Sequence, residues 1–230
     1  MLRGVLFDLD DTLYGYEPCN EAALEAICER FSHELGLSPR GFRDLHDEVR
    51  QDLADRLRGQ AASHNRMLFF KLMVERASGR SKPVLALELF ALYWDVFFER
   101  MQPAPAAHEV LEELAAAYPL ALVSNNTTDI QIRKIRRLGF APYFTAIVTS
   151  EEVGAEKPAV PPFQAALDAL ELDASQVVMV GDDPETDLRG ARALEIRTVL
   201  TTEFRQGAAE EADQVVRELG ALPRVLATGW

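Results

Sequence analysis

The chain has 230 residues, 48% hydrophobic and 27% charged, which supplies enough apolar side chains for a packed core and carries no mark of disorder or collagen-like repetition. A formal net charge of −13 argues against a surface built to grip nucleic-acid phosphates, because such surfaces gather Lys and Arg into dense patches. No run of about 20 apolar residues offers a membrane span, and the first apolar run lacks the basic lead and small-residue cleavage site of a signal peptide.

Residues 2–7 end in Val5-Leu6-Phe7, a run too short for a helix, and break into Asp8-Leu9-Asp10-Asp11. This is how a buried strand of a parallel sheet reads when its carboxyl end carries chemistry. A spacing of two sends Asp8 and Asp10 to one face of a strand, where they can share a metal and a substrate. Paired acids at a strand end also cap a following turn, so the pair alone fits either role. Residues 17–101 contain no convincing strand and predict helices over 20–35, 39–57, 63–77 and 84–101, divided by Gly36, Gly59 and the Gly79-to-Pro83 segment. Cys19 and Cys28, nine apart in a helical pattern, match neither a metal-ligand nor a redox pair and point to a reducing, cytoplasmic setting. His64, Asn65 and Arg66 open a helix, which favours capping or solvation over contact with a ligand. Phe90, Tyr93, Trp94, Phe97 and Phe98 follow the spacing of one buried helix face and read as core, not as a ligand cage.

Pro103-Ala104-Pro105 marks a return to alternating strands and helices, with strand-like runs at 120–123, 146–148, 177–180 and 198–200. Val123-Ser124-Asn125-Asn126 ends the first of these runs, and a strand-to-helix turn of this kind offers a hydroxyl and backbone N–H groups to a phosphate. Taken alone it is also a helix cap. Arg133, Lys134, Arg136 and Arg137 fall on the helix that follows, interrupted by Ile132, Ile135 and Leu138 at core-facing spacing, and predict a solvated basic face. Lys157 is restricted to extended geometry by Pro158 and offers a fixed ammonium. The run at 177–180 breaks into Gly181-Asp182-Asp183-Pro184-Glu185-Thr186-Asp187, acids suited to Mg²⁺ or to a helix N-terminus, with Asp182 the metal-binding candidate and Asp187 orienting its neighbours.

Together, D-L-D-D-T-L, S-N-N, G-A-E-K-P and G-D-D-P-E-T-D stand in the order and rough spacing of the four motifs of haloacid dehalogenase-like hydrolases. The chain resembles the phosphatase branch of that superfamily, with a helical cap inserted after the first motif. The resemblance implies an α/β fold: a Rossmann-like parallel sheet with helices on both faces, formed by residues 1–16 and 102–230, and an all-α cap at 17–101. It implies a Mg²⁺-dependent phosphatase of small phosphorylated metabolites. Asp8 would be nucleophile and metal ligand, and Asp10 the acid/base that also lends its backbone carbonyl to the metal. Ser124, Asn125 and Lys157 would bind the phosphoryl group, Asp182 would complete the metal ligands, and Asp183 and Asp187 would support them. Asn126 departs from the glycine common in such turns, and as the next-best residue for a left-handed backbone it is expected to preserve the turn. A phosphomutase or a 2-haloacid dehalogenase of the same superfamily, or a non-catalytic phosphate-binding module, are the rival readings. Dehalogenases of the family usually replace the second aspartate and need no metal site, so Asp10 and Asp182 favour phosphate.

Overall fold

The protein is described by a computed structural model covering residues 1–205 and 212–228. The chain divides into two compact units, residues 1–16 with 102–230 and residues 17–101. Among the described residues no helix is long and apolar enough to cross a membrane.

The first unit begins with β1 (Gly4–Phe7). The second holds α1 (Tyr16–Phe31, its first residue still in the first unit), α2 (Pro39–Arg56), α3 (Arg66–Ser78) and α4 (Pro83–Arg100). Helix α1 starts four residues before the sequence expectation. Pro18 falls in its first turn, where no backbone N–H is required, and Glu17 suits the positive end of the helix dipole. Ser38 caps α2 by accepting from Gly41 N at 3.0 Å, and Asn65 caps α3 by accepting from Leu68 N at 3.0 Å. Asn65 is thus a cap, and Arg66 lies over the rings of Phe69 and Tyr93. The aromatic stripe of α4 packs inward as its spacing requires: Tyr93, Trp94 and Phe97 are buried, and Tyr93 meets Phe70 of α3 with ring centroids 5.4 Å apart.

After α5 (Ala107–Ala117) the first unit continues through β2 (Leu120–Ser124), α6 (Thr128–Leu138), β3 (Ala146–Thr149), the short α7 (Ser150–Val153) and α8 (Val160–Leu170). Next come β4 (Val177–Gly181), a wide turn over Pro184–Leu188, α9 (Arg189–Arg192), β5 (Arg197–Thr201), β6 (Gln214–Val216) and α10 (Leu222–Thr228). The strands form one parallel sheet in the order β3-β2-β1-β4-β5-β6. Every residue of β1, β2 and β4 is buried, so both faces of the central sheet are covered. On one face Leu6, Val123 and Met179 pack with Phe163 and Leu167 of α8 and with Ala191 of α9. Strand β6 was not evident in the sequence. It is three residues long, lies at the sheet edge and buries only Val216, so it carries no alternating apolar signal.

This order decides where chemistry can sit. The chain builds outward from β1 through β2 to β3, then returns to the other side of β1 with β4. The carboxyl ends of β1 and β4 therefore flank the point where the winding reverses, the crevice in which ligands of open α/β sheets gather. Phe7 is in register with Leu122 on one side and Val180 on the other, so the residues that follow all three strands converge at one edge.

Close packing behind this edge depends on a small residue. A Cβ added to Gly190 would stand 2.7 Å from Phe163 Cζ and 2.8 Å from the Pro158 carbonyl oxygen, and the latter is backbone and cannot swing aside. Gly190→Ala is therefore expected to destabilise by ~1–3 kcal/mol, the usual cost of overpacking. A lower urea midpoint at unchanged slope would show it, and an unchanged midpoint would refute it.

Candidate active site

Asp8 is the first residue beyond β1, and its N–H donates to the Val180 carbonyl at 2.9 Å, which extends the β1–β4 ladder by one step. The chain then turns tightly: Leu13 N donates to the Leu9 carbonyl at 3.0 Å, and Asp11 adopts a left-handed backbone with φ of 60°. A short polar side chain tolerates that conformation, and the Asp11 carboxylate secures the turn by accepting from Tyr16 N at 2.7 Å. Both motif aspartates thus lie past the strand rather than within it. Asp8 is buried, and the Asp10 side chain keeps 26% of its exposure.

Lys157 Nζ stands 2.6 Å from Asp8 Oδ1 and 2.6 Å from Asp187 Oδ1, and all three side chains are buried. Asn125 holds this lysine from behind. Its carbonyl oxygen accepts from Lys157 N at 2.7 Å, and its amide nitrogen donates to the Lys157 carbonyl at 2.9 Å. The extended backbone expected before Pro158 is therefore pinned by the residue after β2. Ser124, the last residue of β2, is buried and accepts from Gln131 Nε2 of α6. Asn126 does not take the left-handed conformation expected of it. Among the described non-glycine residues positive φ occurs at Asp11, Glu171 and Glu195. Asn126 makes the turn by accepting the Thr127 N–H on its own side chain at 2.8 Å.

Asp182 follows β4 and accepts from Thr12 Oγ1 at 3.3 Å and from Arg205 at 3.0 Å. Asp183 caps the wide turn by accepting from Glu185 N and Thr186 N, while the second oxygen of Asp187 accepts from Asp183 N at 3.2 Å. Gly181 permits this fold-back, because a Cβ there would lie 2.6 Å from Asp187 Cγ. Carboxylate oxygens of Asp8, Asp182 and Asp187 come within 4.8 Å of one another.

Charge is unevenly balanced in this cluster. Burial raises the Asp8 carboxyl well above its ordinary range; Lys157 opposes the shift, and Asp187, Asp182 and Asp10 add to it. Asp182 is pushed up to about 7, chiefly by burial and by Asp187, with Arg205 working the other way. The Lys157 ammonium is desolvated, yet Asp187 and Asp8 raise its proton affinity above that of a free lysine. Lys157 bridges two of these three buried carboxylates and Arg205 meets the third, which leaves the cluster one negative charge in excess and a donor set that a hard divalent cation with oxygen preference fits.

One functional contact contradicts the sequence reading. Lys134 is not on a solvated face. Its side chain is completely buried, with Nζ 2.7 Å and 2.8 Å from the two carboxylate oxygens of Asp10. The Tyr14 hydroxyl also donates to Asp10. Burial works to raise the Asp10 carboxyl, but Lys134, with Tyr14 and Gln131, brings it below the ordinary carboxylate value. The stripe α6 buries is Ile130, Gln131, Lys134, Ile135 and Leu138, whereas Ile132, expected inside, is 52% exposed. The spacing of 130, 131, 134, 135 and 138 is itself that of one helix face, so the lysine's inward position was written in the sequence.

Four segments, with two aspartates, a serine, a lysine and a second acidic turn, thus meet at the switch point of a parallel sheet, and they are the segments that carry the four motifs by which the sequence resembles its superfamily. The haloacid dehalogenase-like hydrolase model matches residues 5–201, and the chain belongs to that family. It is 42% identical over 222 residues to a ribulose-1,5-bisphosphate 5-phosphatase of Halopiger xanaduensis, covering 95% of this chain and 92% of that protein. A glyceraldehyde 3-phosphate phosphatase of Methanothermobacter thermautotrophicus is 31% identical, with 83% of this chain and 81% of that one covered. Among solved structures, a 2-haloacid dehalogenase of Pseudomonas syringae pv. Tomato superposes with a TM-score of 0.77 at 30% identity, covering 99% of both chains. A phosphatase of the same superfamily from Thermococcus onnurineus gives 0.77 at 26%, covering 98% of both.

The excess negative charge has a stability consequence. With its folded value near 7 and an unfolded value of about 4, the Asp182 carboxyl binds more protons in the folded state between those pH values. In chelator, folding stability therefore falls as pH rises from about 4 to 7. Asp182→Asn should melt higher than the parent in chelator at and above neutrality, by at most ~4 kcal/mol, with the gain vanishing near pH 4. Melting curves across pH that superimpose for the two proteins would contradict this.

Proposed function

We propose that the chain removes the terminal phosphate of a small phosphorylated sugar through a transient phosphoryl-aspartate on Asp8, with Mg²⁺ as the working cation. The chain is a phosphoric monoester hydrolase, as its family membership and phosphatase relatives require. The observation that carries the finer reading is the division of charge around the two motif aspartates, Asp8 with Lys157 and Asp10 with Lys134. Relatedness over nearly the whole chain to a phosphatase of a pentulose bisphosphate supports a sugar phosphate as substrate.

Asp8 and Asp182, with the Asp10 backbone carbonyl, are the residues suited to hold Mg²⁺, which when bound screens the phosphoryl charge that would repel a carboxylate nucleophile. Lys157 and Ser124 grip the phosphoryl oxygens, and Asn125 keeps Lys157 in place. Asp187 holds the ammonium between itself and Asp8, and Asp183 shapes the turn that presents Asp182. An Asp8 oxygen bonds to phosphorus as the bond from phosphorus to the leaving oxygen breaks. Asp10 gives that oxygen a proton and later takes one from the water that displaces Asp8. Lys134 favours the ionised carboxylate, the form that accepts a proton from water. A bound phosphoryl dianion beside Asp10 shifts the balance toward the protonated form that the first step needs. The helical unit at 17–101 acts as the cap that selects the leaving group, and the two buried cysteines, Cys19 and Cys28, suit a reducing cytoplasm.

With an aryl phosphate, whose leaving group hardly needs a proton, Asp8→Asn is expected to abolish turnover and phosphoenzyme together. Asp10→Asn should still phosphorylate Asp8 and then stall, losing roughly 10²–10⁴-fold in turnover, the usual contribution of proton transfer. Rapid quench followed by peptide mass spectrometry locates the phosphoryl group, and a label on Asp10 would overturn the assignment. Against a panel of monoesters with Mg²⁺, sugar phosphates should be preferred and chelator should abolish turnover. A halide-releasing activity on 2-haloacids with no phosphatase activity would instead support the dehalogenase reading.

A further inference from the structure

Helix α6 carries a lysine where its packing calls for a leucine. Lys134 shares the buried stripe with Ile130, Ile135 and Leu138, and its side chain has no exposure. Removing an ammonium from water is unfavourable, a cost that an apolar side chain of similar length would avoid. The partners it meets explain its presence. Nζ reaches both Asp10 oxygens, at 2.7 and 2.8 Å, and lies 5.8 Å from the centroid of the Tyr14 ring and 5.4 Å from that of Tyr16. The Tyr14 hydroxyl adds a third contact, to Oδ1 of the same carboxylate.

Two-point contact from the ammonium, with the hydroxyl at one oxygen, fixes both the position and the plane of a carboxylate that would otherwise turn about its two side-chain torsions. The lysine is itself held by a helix and flanked by two rings. Lys157, the other buried lysine among the described residues, is engaged by Asp8 and Asp187.

We propose that Lys134, assisted by Tyr14, is a positioning residue that aims the Asp10 carboxylate for proton transfer. This rests on the reading of Asp10 as the acid/base. A merely structural ion pair would tie α6 to the first-motif turn, and its loss would lower stability without selecting one chemical step. A positioning residue selects the step that Asp10 performs.

The test uses the full chain with Mg²⁺ and an aryl phosphate, following the released phenol and the phosphoenzyme by rapid quench in Lys134→Met, Tyr14→Phe, Asp10→Asn and the double variant Asp10→Asn/Lys134→Met. Lys134→Met should give a stoichiometric phenol burst and then hydrolyse its phosphoenzyme about 10²-fold slower than the parent, as a small misplacement of a reacting group does. Tyr14→Phe should show a smaller loss in the same step. The double variant should fall within roughly twofold of Asp10→Asn, because the lysine has nothing left to aim. Phosphoenzyme hydrolysis at the parental rate in Lys134→Met, or losses that multiply in the double variant, would overturn the proposal. Should Lys134→Met not fold, Tyr14→Phe decides it, and a parental rate there overturns it. Parental hydrolysis in Asp10→Asn would remove the acid/base reading itself, whereas a slow Asp10→Asn beside a normal Lys134→Met removes only the positioning role.

Discussion

The structure turns on how four carboxylates can be gathered at one end of a sheet. Asp8, Asp10, Asp182 and Asp187 would repel one another in a medium of low polarity and drive the turns that carry them apart. Two buried lysines prevent this, one from the segment after β3 and one from α6. Lys157 bridges Asp8 and Asp187, and Lys134 holds Asp10. The compensation is partial, because Asp8 and Asp182 still sit above the ordinary carboxylate range. A site with this excess of negative charge fits a cation and not a further anion by itself, and the excess costs the folded state stability.

That arrangement requires the sheet order. Only with β1 between β2 and β4 do the first, second and fourth motifs end side by side, and only a parallel sheet brings all their carboxyl ends to the same edge. The third motif is drawn in by Asn125, whose amide grips the backbone of Lys157 in both directions. The apolar strands behind the site bury every side chain of β1, β2 and β4. They supply the stabilisation against which an unbalanced cluster can be tolerated.

Much of this is legible in the amino-acid sequence. Five of six strands announce themselves as short apolar runs, and four of them end in recognisable chemistry or a turn, because a strand covered on both faces must be apolar throughout. The helices at 39–56 and 83–100 are bounded by Ser38-Pro39 and Lys82-Pro83, where proline fixes the first turn. What escaped had weaker local signals. Strand β6 is three residues at an edge. The start of α1 was hidden by Pro18, which reads as a breaker but is harmless in a first turn. The turn after β2 was expected to need a left-handed residue at Asn126, yet an asparagine that caps its neighbour's N–H removes that need.

Lys134 departs furthest from the place its basic neighbours suggest. Four basic residues close together suggest a solvated surface, and for Arg133, Arg136 and Arg137 the surface is where they are; only the helical phase separates Lys134 from them. Charge-based reasoning treated the run as a unit, whereas a helix distributes consecutive residues around its axis at 100° intervals. The apolar neighbours one turn away on either side, Ile130 and Leu138, put position 134 on the inner face whatever its side chain. A charged residue at such a phase has to meet an opposite charge inside, and the acids at the strand ends, those of the first motif and those of residues 182–187, are the candidates. Helical phase and charge balance together turn Lys134 toward one of these acids, and the sheet order, with β1 beside the strand that α6 follows, selects Asp10.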